Sequence, residues 1–224
     1  GVKIILSTGM GSLAEVEEAL GVLAFAMCRE DQPESRADFA QILLDPSVWP
    51  VLAERVTLLH CTTEYPAAVE DTNLYAMDTL RRAFGVKVGY SDHTMGGAVS
   101  LAAVALGACV LEKHFTLDRT LPGPDHGASL EPEELIALIT GVRAVERALG
   151  SGIKQPGAAE VANRAVVRKS LLAARDLPEG QVLTLDDIVV KRPGDGVSPM
   201  ALWDAIGRPL ESAASQDEVI NVKT

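Results

Sequence analysis

The sequence predicts an α/β protein in two parts: four successive strand–helix units, followed by a smaller module of short strands. Two observations support this reading. Four short apolar runs alternate with stretches of helical periodicity over residues 1–150. Beyond a linker that contains glycine and proline, the chain changes to short β-like runs separated by turn residues. Strands that alternate regularly with helices are typical of a parallel sheet.

Four strand–helix units in a row describe half of a (β/α)8 barrel, that is, a partial TIM barrel. An open doubly wound sheet is the alternative, but such a sheet usually carries a glycine-rich fingerprint that this sequence does not show. We therefore predict a partial barrel domain over residues 1–150. A linker over residues 151–164 and a small, mostly β domain over residues 165–224 complete the chain.

The first unit begins with the strand Val2–Leu6. Ser12 and Glu15 then have the spacing of a capping box, and apolar residues recur after them at helical spacing. Between strand and helix, Ser7 is followed by a threonine and a glycine. This turn is either a phosphate cradle at the helix start or an ordinary tight turn.

The second unit is preceded by an irregular insertion with short helical pieces, Met27–Arg55. Its strand is Val56–Leu59, and its helix is Glu70–Phe84, where apolar residues recur every three or four positions. Tyr65 lies between them, immediately before a proline, which holds the tyrosine extended. Its side chain either points into a pocket or lies on the surface of a loop.

The third and fourth strands, Val86–Tyr90 and Cys109–Lys113, are joined by a helix of small residues, Met95–Gly107. His93 and His114 follow these strands. Parallel strands joined by a right-handed crossover end at the same edge of the sheet, where α/β proteins bind ligands. The two histidines therefore form a metal site or a catalytic pair, or else one is functional and the other is a packing residue.

A loop rich in proline and glycine follows the fourth strand and precedes the last helix, Glu133–Leu149. Asp125 and His126 lie in this loop. They either reach the pocket of the two histidines or are solvated at the surface.

Composition excludes some classes of partner. The formal charge of −11 over 224 residues argues against nucleic acid and against an anionic membrane. The longest uncharged apolar run, residues 96–111, is shorter than the roughly 20 residues of a membrane span. Cys28, Cys61 and Cys109 have no metal-ligand spacing, so we expect reduced core thiols in a cytoplasmic protein. The chain starts with Gly1 rather than Met, so we expect an amino-terminal portion to be missing.

Six ordered motifs resemble the sialic acid synthase family, which makes N-acetylneuraminate and related nonulosonates. They are STGM at Ser7, HCTTEYP at His60, GYSDHT at Gly89, LEKHFT at Leu111, PGPDH at Pro122 and VKRPG at Val190. The resemblance implies the last four βα units of a TIM barrel, followed by an antifreeze-like SAF domain of the β-clip type. It also implies that the first four strands, with several phosphoenolpyruvate-binding residues, are absent from this chain, and that the chain alone is inactive.

The implied reaction is a condensation of phosphoenolpyruvate with N-acetylmannosamine or a related acetamido sugar, dependent on a divalent metal, Mn or Mg. The resemblance carries roles onto individual residues. His93 and His114 match the metal ligands. Asp125 and Tyr65 match catalytic residues near the amino sugar. Ser7, Thr63 and Ser91 match positions that bind phosphoenolpyruvate. Arg192 matches a residue that contacts the acyl group of the sugar.

Arg192 would act in the barrel of a neighbouring subunit, so the resemblance implies a domain-swapped homodimer. Thr63 stands where some members have an asparagine, which leaves the acceptor sugar open. Legionaminate or pseudaminate synthase is therefore an alternative within the same class. A non-catalytic carbohydrate-binding protein is the alternative from a different class.

Overall fold

The computed structural model describes residues 1–194 and 196–222. Its contacts divide the chain between Gly152 and Ile153 into two compact units. The predicted second domain ends at residue 224, so residues 195, 223 and 224 of that prediction lie outside the described part.

The first unit contains β1 (Ile4–Ser7), α1 (Leu13–Cys28), α2 (Arg36–Ile42), α3 (Val48–Arg55), β2 (Val56–Cys61), α4 (Ala76–Phe84), β3 (Lys87–Asp92), α5 (Ala98–Ala105), β4 (Leu111–Lys113) and α6 (Pro132–Leu149). The second unit contains α7 (Ala158–Val167), β5 (Ser170–Ala173), β6 (Ile188–Lys191) and α8 (Leu202–Ala205).

The first unit is built on one parallel sheet with the strand order β1-β2-β3-β4. Each strand pairs with the strand that follows it along the chain, which is the order of a (β/α)8 barrel. A doubly wound sheet reverses its strand order at a switch point, and the described sheet shows no such reversal. The predicted α/β fold, with strands arranged as in half a barrel, is confirmed.

The helices cover one face of this sheet. Leu58, Val88 and Tyr90 alternate with residues of the other face and pack in one cluster with Leu20 and Met77 from the helices. On the opposite face, the side chain of Ile5 is 56% exposed. The face without helices corresponds to the interior of a barrel, and the candidate site is at its carboxyl edge.

The helix α1 begins with the predicted capping box. The Ser12 N–H donates to Glu15 at 2.7 Å, and the Glu15 N–H donates to the Ser12 hydroxyl at 3.4 Å. The Ser12 hydroxyl also donates to the Glu15 carboxylate at 2.7 Å, and the bonds donated by the Ser12 N–H and hydroxyl lower the pKa of Glu15. The insertion contains two short helices, α2 and α3, as expected, although Met27 belongs to the last turn of α1.

The predicted helix Glu70–Phe84 is shorter in the structure. A 3-10 turn covers Val69–Asp71, and α4 begins only at Ala76. Between them Asn73 has a φ of 40°, a left-handed conformation that an α-helix cannot contain. The apolar stripe is nevertheless correct, since Met77, Leu80 and Phe84 are all buried.

Two other expectations need correction. Of the three cysteines, only Cys61 is buried, whereas Cys28 and Cys109 are exposed at the ends of their segments. The stretch 151–164, expected to be a linker, includes most of α7. Its alanine-rich sequence favours a helix, and the Gly157 N–H donates to Glu160 at 2.8 Å at its start. No helix among residues 1–194 and 196–222 combines the length and apolar character needed to cross a membrane.

The second unit has a small core around the antiparallel pair β5 and β6. Leu171, Leu183, Leu210 and Ile220 are among its buried residues. Asp187 is also buried, 1% exposed, next to β6. Its carboxylate accepts hydrogen bonds from the N–H and hydroxyl of Thr184 at 3.0 and 2.8 Å, and pairs with Arg175 at 2.5 Å. The hydrogen bonds from the Thr184 hydroxyl and N–H, and then the charge of Arg175, lower the pKa of Asp187.

Because the pKa of Asp187 is lower in the folded state, its stabilising contribution is present above the carboxyl's ordinary pKa and is lost as pH falls through the folded value. We expect Asp187→Asn to lower the free energy of unfolding by about 2 kcal/mol at pH 7 and by much less at pH 3. Amide hydrogen exchange of β5 and β6 at both pH values measures this. The exposed neighbour provides the control, Asp186→Asn, and an equal loss at the two pH values would contradict the assignment.

Candidate functional site at the carboxyl edge of the parallel sheet

The candidate site lies where the four parallel strands end. Because these strands run in the same direction, the residues after β1, β2, β3 and β4 meet at one edge. His93 directly follows β3, and His114 directly follows β4. The strands pair in register up to Asp92 opposite Lys113, so the two histidines continue from adjacent positions.

The two imidazoles lie side by side. Their ring centroids are 5.4 Å apart and the ring planes are nearly perpendicular, at 86°. The ring of Tyr65 lies 4.2 Å from that of His93 and 5.3 Å from that of His114. Metal–nitrogen bonds in histidine sites are about 2 Å long, so one cation can lie within reach of both imidazoles.

Hydrogen bonding fixes the orientation of the buried His93 ring. Its Nδ1 lies 2.6 Å from the carbonyl oxygen of Thr62, which can only accept, so Nδ1 carries the proton and donates. Its Nε2 lies 3.3 Å from the Ser91 hydroxyl, and that hydroxyl donates to Glu112 at 2.8 Å. In the neutral ring, Nε2 therefore keeps a free lone pair, which is the arrangement of a metal-binding histidine.

His114 and Asp125 form a more open pair. The His114 Nδ1 is 4.0 Å from a carboxylate oxygen of Asp125, and the two side chains are 34% and 52% exposed. Solvent screens such a contact, so it leaves the carboxylate free to accept a hydrogen bond from a ligand.

The loop that carries Asp125 is held by its own polar contacts. The Thr116 hydroxyl is 2.7 Å from Nδ1 of His126, and the Ser129 hydroxyl donates to the Asp125 carbonyl at 2.7 Å. Arg119 binds the Ser129 carbonyl at 2.9 Å and pairs with Glu134 in the first turn of α6. This pairing lowers the pKa of Glu134. His126 thus stabilises the loop that presents Asp125.

Ser7 and Thr63 lie at the ends of the first two strands. The Ser7 hydroxyl is 3.4 Å from the thiol of Cys61. The Thr63 hydroxyl lies against Gly9, where a Cβ atom would come within 2.2 Å of it. Only glycine permits this close approach, which brings the turn after β1 against the turn after β2.

Arg192 belongs to the second unit. Its Nε donates to the Val167 carbonyl at 2.8 Å, and the residue is exposed. The structure therefore brings Tyr65, Ser91, His93, His114 and Asp125 together around the two imidazoles, and it places Arg192 in the other compact unit.

Glu112 is a polar residue of this site that the sequence reasoning missed. Its carboxylate accepts a hydrogen bond from the Ser91 hydroxyl, and that hydroxyl also lies 3.3 Å from His93 Nε2. A signal for it was available, because alternation along a strand puts Glu112 and His114 on the same face.

The donor set fits a cation held by few protein ligands. Within the described part of the chain, no group of three or more His, Cys, Asp and Glu side chains has metal-binding geometry. Two imidazoles, of which His93 has an available lone pair at Nε2, and the carboxylate of Asp125 beside His114 suit an open site completed by water and substrate.

Both parts of the chain match known protein families. Residues 1–154 match the model of the NeuB family, and residues 168–221 match that of the SAF domain. The N,N'-diacetyllegionaminic acid synthase of Campylobacter jejuni is 46% identical over 97% of this chain and 58% of its own length. Human N-acetylneuraminate-9-phosphate synthase is 44% identical over 72% of this chain and 46% of its own length.

A solved structure is also similar. The N-acetylneuraminic acid (sialic acid) synthetase of Leptospira borgpetersenii, crystallised with citrate, superposes with a TM-score of 0.53 at 35% identity. That match covers 72% of this chain and 47% of the other. The present chain thus spans roughly half the length of the relatives it matches.

The hydrogen bond to Thr62 gives a test of the local geometry. We expect nitrogen NMR of the metal-free protein, labelled at histidine, to show the neutral His93 ring protonated at Nδ1 and unprotonated at Nε2. Ser91→Ala should leave this tautomer unchanged, because the carbonyl of Thr62 selects it. A neutral ring protonated at Nε2 would contradict the arrangement.

Proposed function

The chain belongs to the NeuB family, and from this premise we propose that it is part of a nonulosonate synthase. The reaction joins C3 of phosphoenolpyruvate to the aldehyde carbon of an open-chain acetamido sugar. Water then attacks C2, and the C2–oxygen bond breaks to release phosphate. The products are a sialic acid-type nonulosonate and inorganic phosphate.

One observation carries this proposal: two imidazoles, with ring centroids 5.4 Å apart, lie at the ligand-binding edge of the sheet. His93 and His114 would hold a divalent cation, Mn or Mg. When bound there, the cation supplies a Lewis acid for the aldehyde oxygen of the sugar. Imidazole is a less typical ligand for these ions than carboxylate, which favours a site with few protein ligands and several water or substrate oxygens.

The side chains around the two histidines would bind and orient the substrates. Ser7 offers a hydroxyl donor to the oxygens of phosphoenolpyruvate, and Ser91 would offer a second by releasing its hydrogen bond to Glu112 when the substrate binds. Thr63 follows β2, between the strands that carry the two serines. Tyr65 is 46% exposed beside both imidazole rings, so its hydroxyl is available to the sugar. The half-exposed carboxylate of Asp125 can accept a hydrogen bond from a sugar hydroxyl.

The proposal also includes a homodimer of the protein. The similarity to the SAF domain supports a homodimer in which Arg192 of one subunit contacts the acyl group of the sugar bound by the other. Four N–H donors of the exposed guanidinium remain for such a ligand beyond the Val167 contact at Nε. A cytoplasmic location would supply phosphoenolpyruvate, which is a product of central metabolism.

The acceptor has two candidates. N-acetylmannosamine is the first, and a diacetamido analogue of it is the second. The similarity to the Campylobacter jejuni synthase, which extends over nearly the whole chain, favours the second. Product analysis of the full-length protein, given phosphoenolpyruvate with either sugar, decides between them.

The histidine pair gives the direct test of the proposed activity. In the full-length protein with Mn²⁺, we expect His93→Ala and His114→Ala to lower kcat/KM for phosphate release more than about 100-fold, because even changes around metal ligands cost 10–100-fold. The matched control is His60→Gln, since His60 binds the Thr72 carbonyl and packs on Tyr90 on the helix side.

Wild-type activity in both alanine variants would overturn the metal assignment. Release of no phosphate by the wild-type protein from any acetamido sugar, together with sugar binding that is indifferent to Mn²⁺, would instead favour a carbohydrate-binding protein.

A further inference from the structure

A buried polar cluster lies directly behind the two histidines. Asp92 and Lys113 form an ion pair of 3.1 Å, and their side chains are 0% and 5% exposed. The Asp92 carboxylate also accepts hydrogen bonds from the Thr94 N–H at 2.9 Å, the Thr94 hydroxyl at 2.7 Å and the Ser100 hydroxyl at 2.5 Å. Lys113 in turn donates to the Thr94 carbonyl.

The cluster joins three elements at one point. Asp92 ends β3, Lys113 ends β4, and Ser100 is in the first turn of α5, the helix that connects the two strands. Asp92 and Lys113 are also the last paired residues of the β3–β4 ladder. Beyond these two residues, the ladder no longer sets the distance between the two backbone segments that carry His93 and His114.

Each member of the ion pair precedes one of the histidines. Successive side chains alternate across a strand, so Asp92 and Lys113 point toward the helices while His93 and His114 point the other way. A change in the distance between residues 92 and 113 therefore shifts the backbone at both His93 and His114.

An ion pair this deeply buried adds little to the stability of a fold. Well-packed apolar residues often replace such pairs with no loss of stability, because removing both charges from water costs as much as their attraction returns. What the pair does provide is a defined geometry, since the carboxylate has four donors arranged around it.

We infer that Asp92 and Lys113 are positioning residues that set the separation and orientation of the His93 and His114 rings. Both side chains are buried on the helix side of the sheet, on the opposite face from the two imidazoles. The consequence for a bound cation rests on the proposed function, whereas the consequence for the rings themselves does not.

The test removes both charges at once in the full-length protein, as Asp92→Asn/Lys113→Met. Asparagine retains partners in Thr94 and Ser100, and methionine retains the length of the lysine. The control is Asp187→Asn/Arg175→Met, which removes the ion pair of a second buried carboxylate, Asp187, in the second unit. Circular dichroism and thermal melting establish that each variant is folded.

Two readouts are compared. The first is the set of nuclear Overhauser contacts between the His93, His114 and Tyr65 ring protons in the metal-free protein. The second is the Kd for Mn²⁺, measured by electron paramagnetic resonance. We expect the double variant to lose the contact between the two histidine rings and to bind Mn²⁺ about 10-fold or more weakly. The control variant should change neither.

Unchanged ring contacts in the folded double variant would overturn the inference. If that variant does not fold, Ser100→Ala, which removes one donor and no charge, replaces it and is judged by the same ring contacts. Wild-type protein that shows the ring contacts but does not bind Mn²⁺ would contradict the proposed function and leave the positioning inference to be decided by the contacts alone.

Discussion

The parallel ladder between β3 and β4 is the constraint on which the candidate site depends. It pairs Ser91 with Glu112 and Asp92 with Lys113, and so it delivers His93 and His114 to adjacent points of one edge. Strand alternation then divides the roles. Ser91, Glu112 and the histidines lie on the face without helices, whereas Asp92 and Lys113 are buried against the helix layer.

Hydrogen bonds from neighbouring segments convert this placement into a defined geometry. The backbone carbonyl of Thr62, which follows β2, orients the ring of His93. The contacts within the loop after β4, including Thr116 with His126, hold Asp125 near His114. The site is thus assembled from the ends of three consecutive strands. The segment after β2 supplies the Thr62 carbonyl, β3 leads to His93, and β4 leads to His114.

Much of this could be predicted from the sequence, because the relevant signals are local. Alternating strand and helix patterns gave the sheet order, and the capping box of Ser12 and Glu15 located the start of α1. The position of the two histidines at one edge follows from the handedness of crossover connections alone. Their contact with Tyr65 in space required the structure, since a tyrosine before a proline has no periodic pattern to orient it.

The errors have equally physical causes. The helix α4 begins late because Asn73 adopts a left-handed conformation, which apolar spacing does not reveal. The helix α7 is not predicted because the glycines and proline before it are typical of a linker, whereas the alanines within it favour a helix. Glu112 lies within a mostly apolar run, which masks its role, although the period of two places it on the same face as His114.

The central claim is that His93 and His114 bind one cation together. Pulsed electron paramagnetic resonance of the full-length protein, loaded with Mn²⁺ and labelled with ¹⁵N only at histidine, tests it directly. The account predicts hyperfine coupling to nitrogens of two imidazoles, reduced to one in His93→Ala and in His114→Ala. A Mn²⁺ spectrum with no coupling to histidine nitrogen would contradict it.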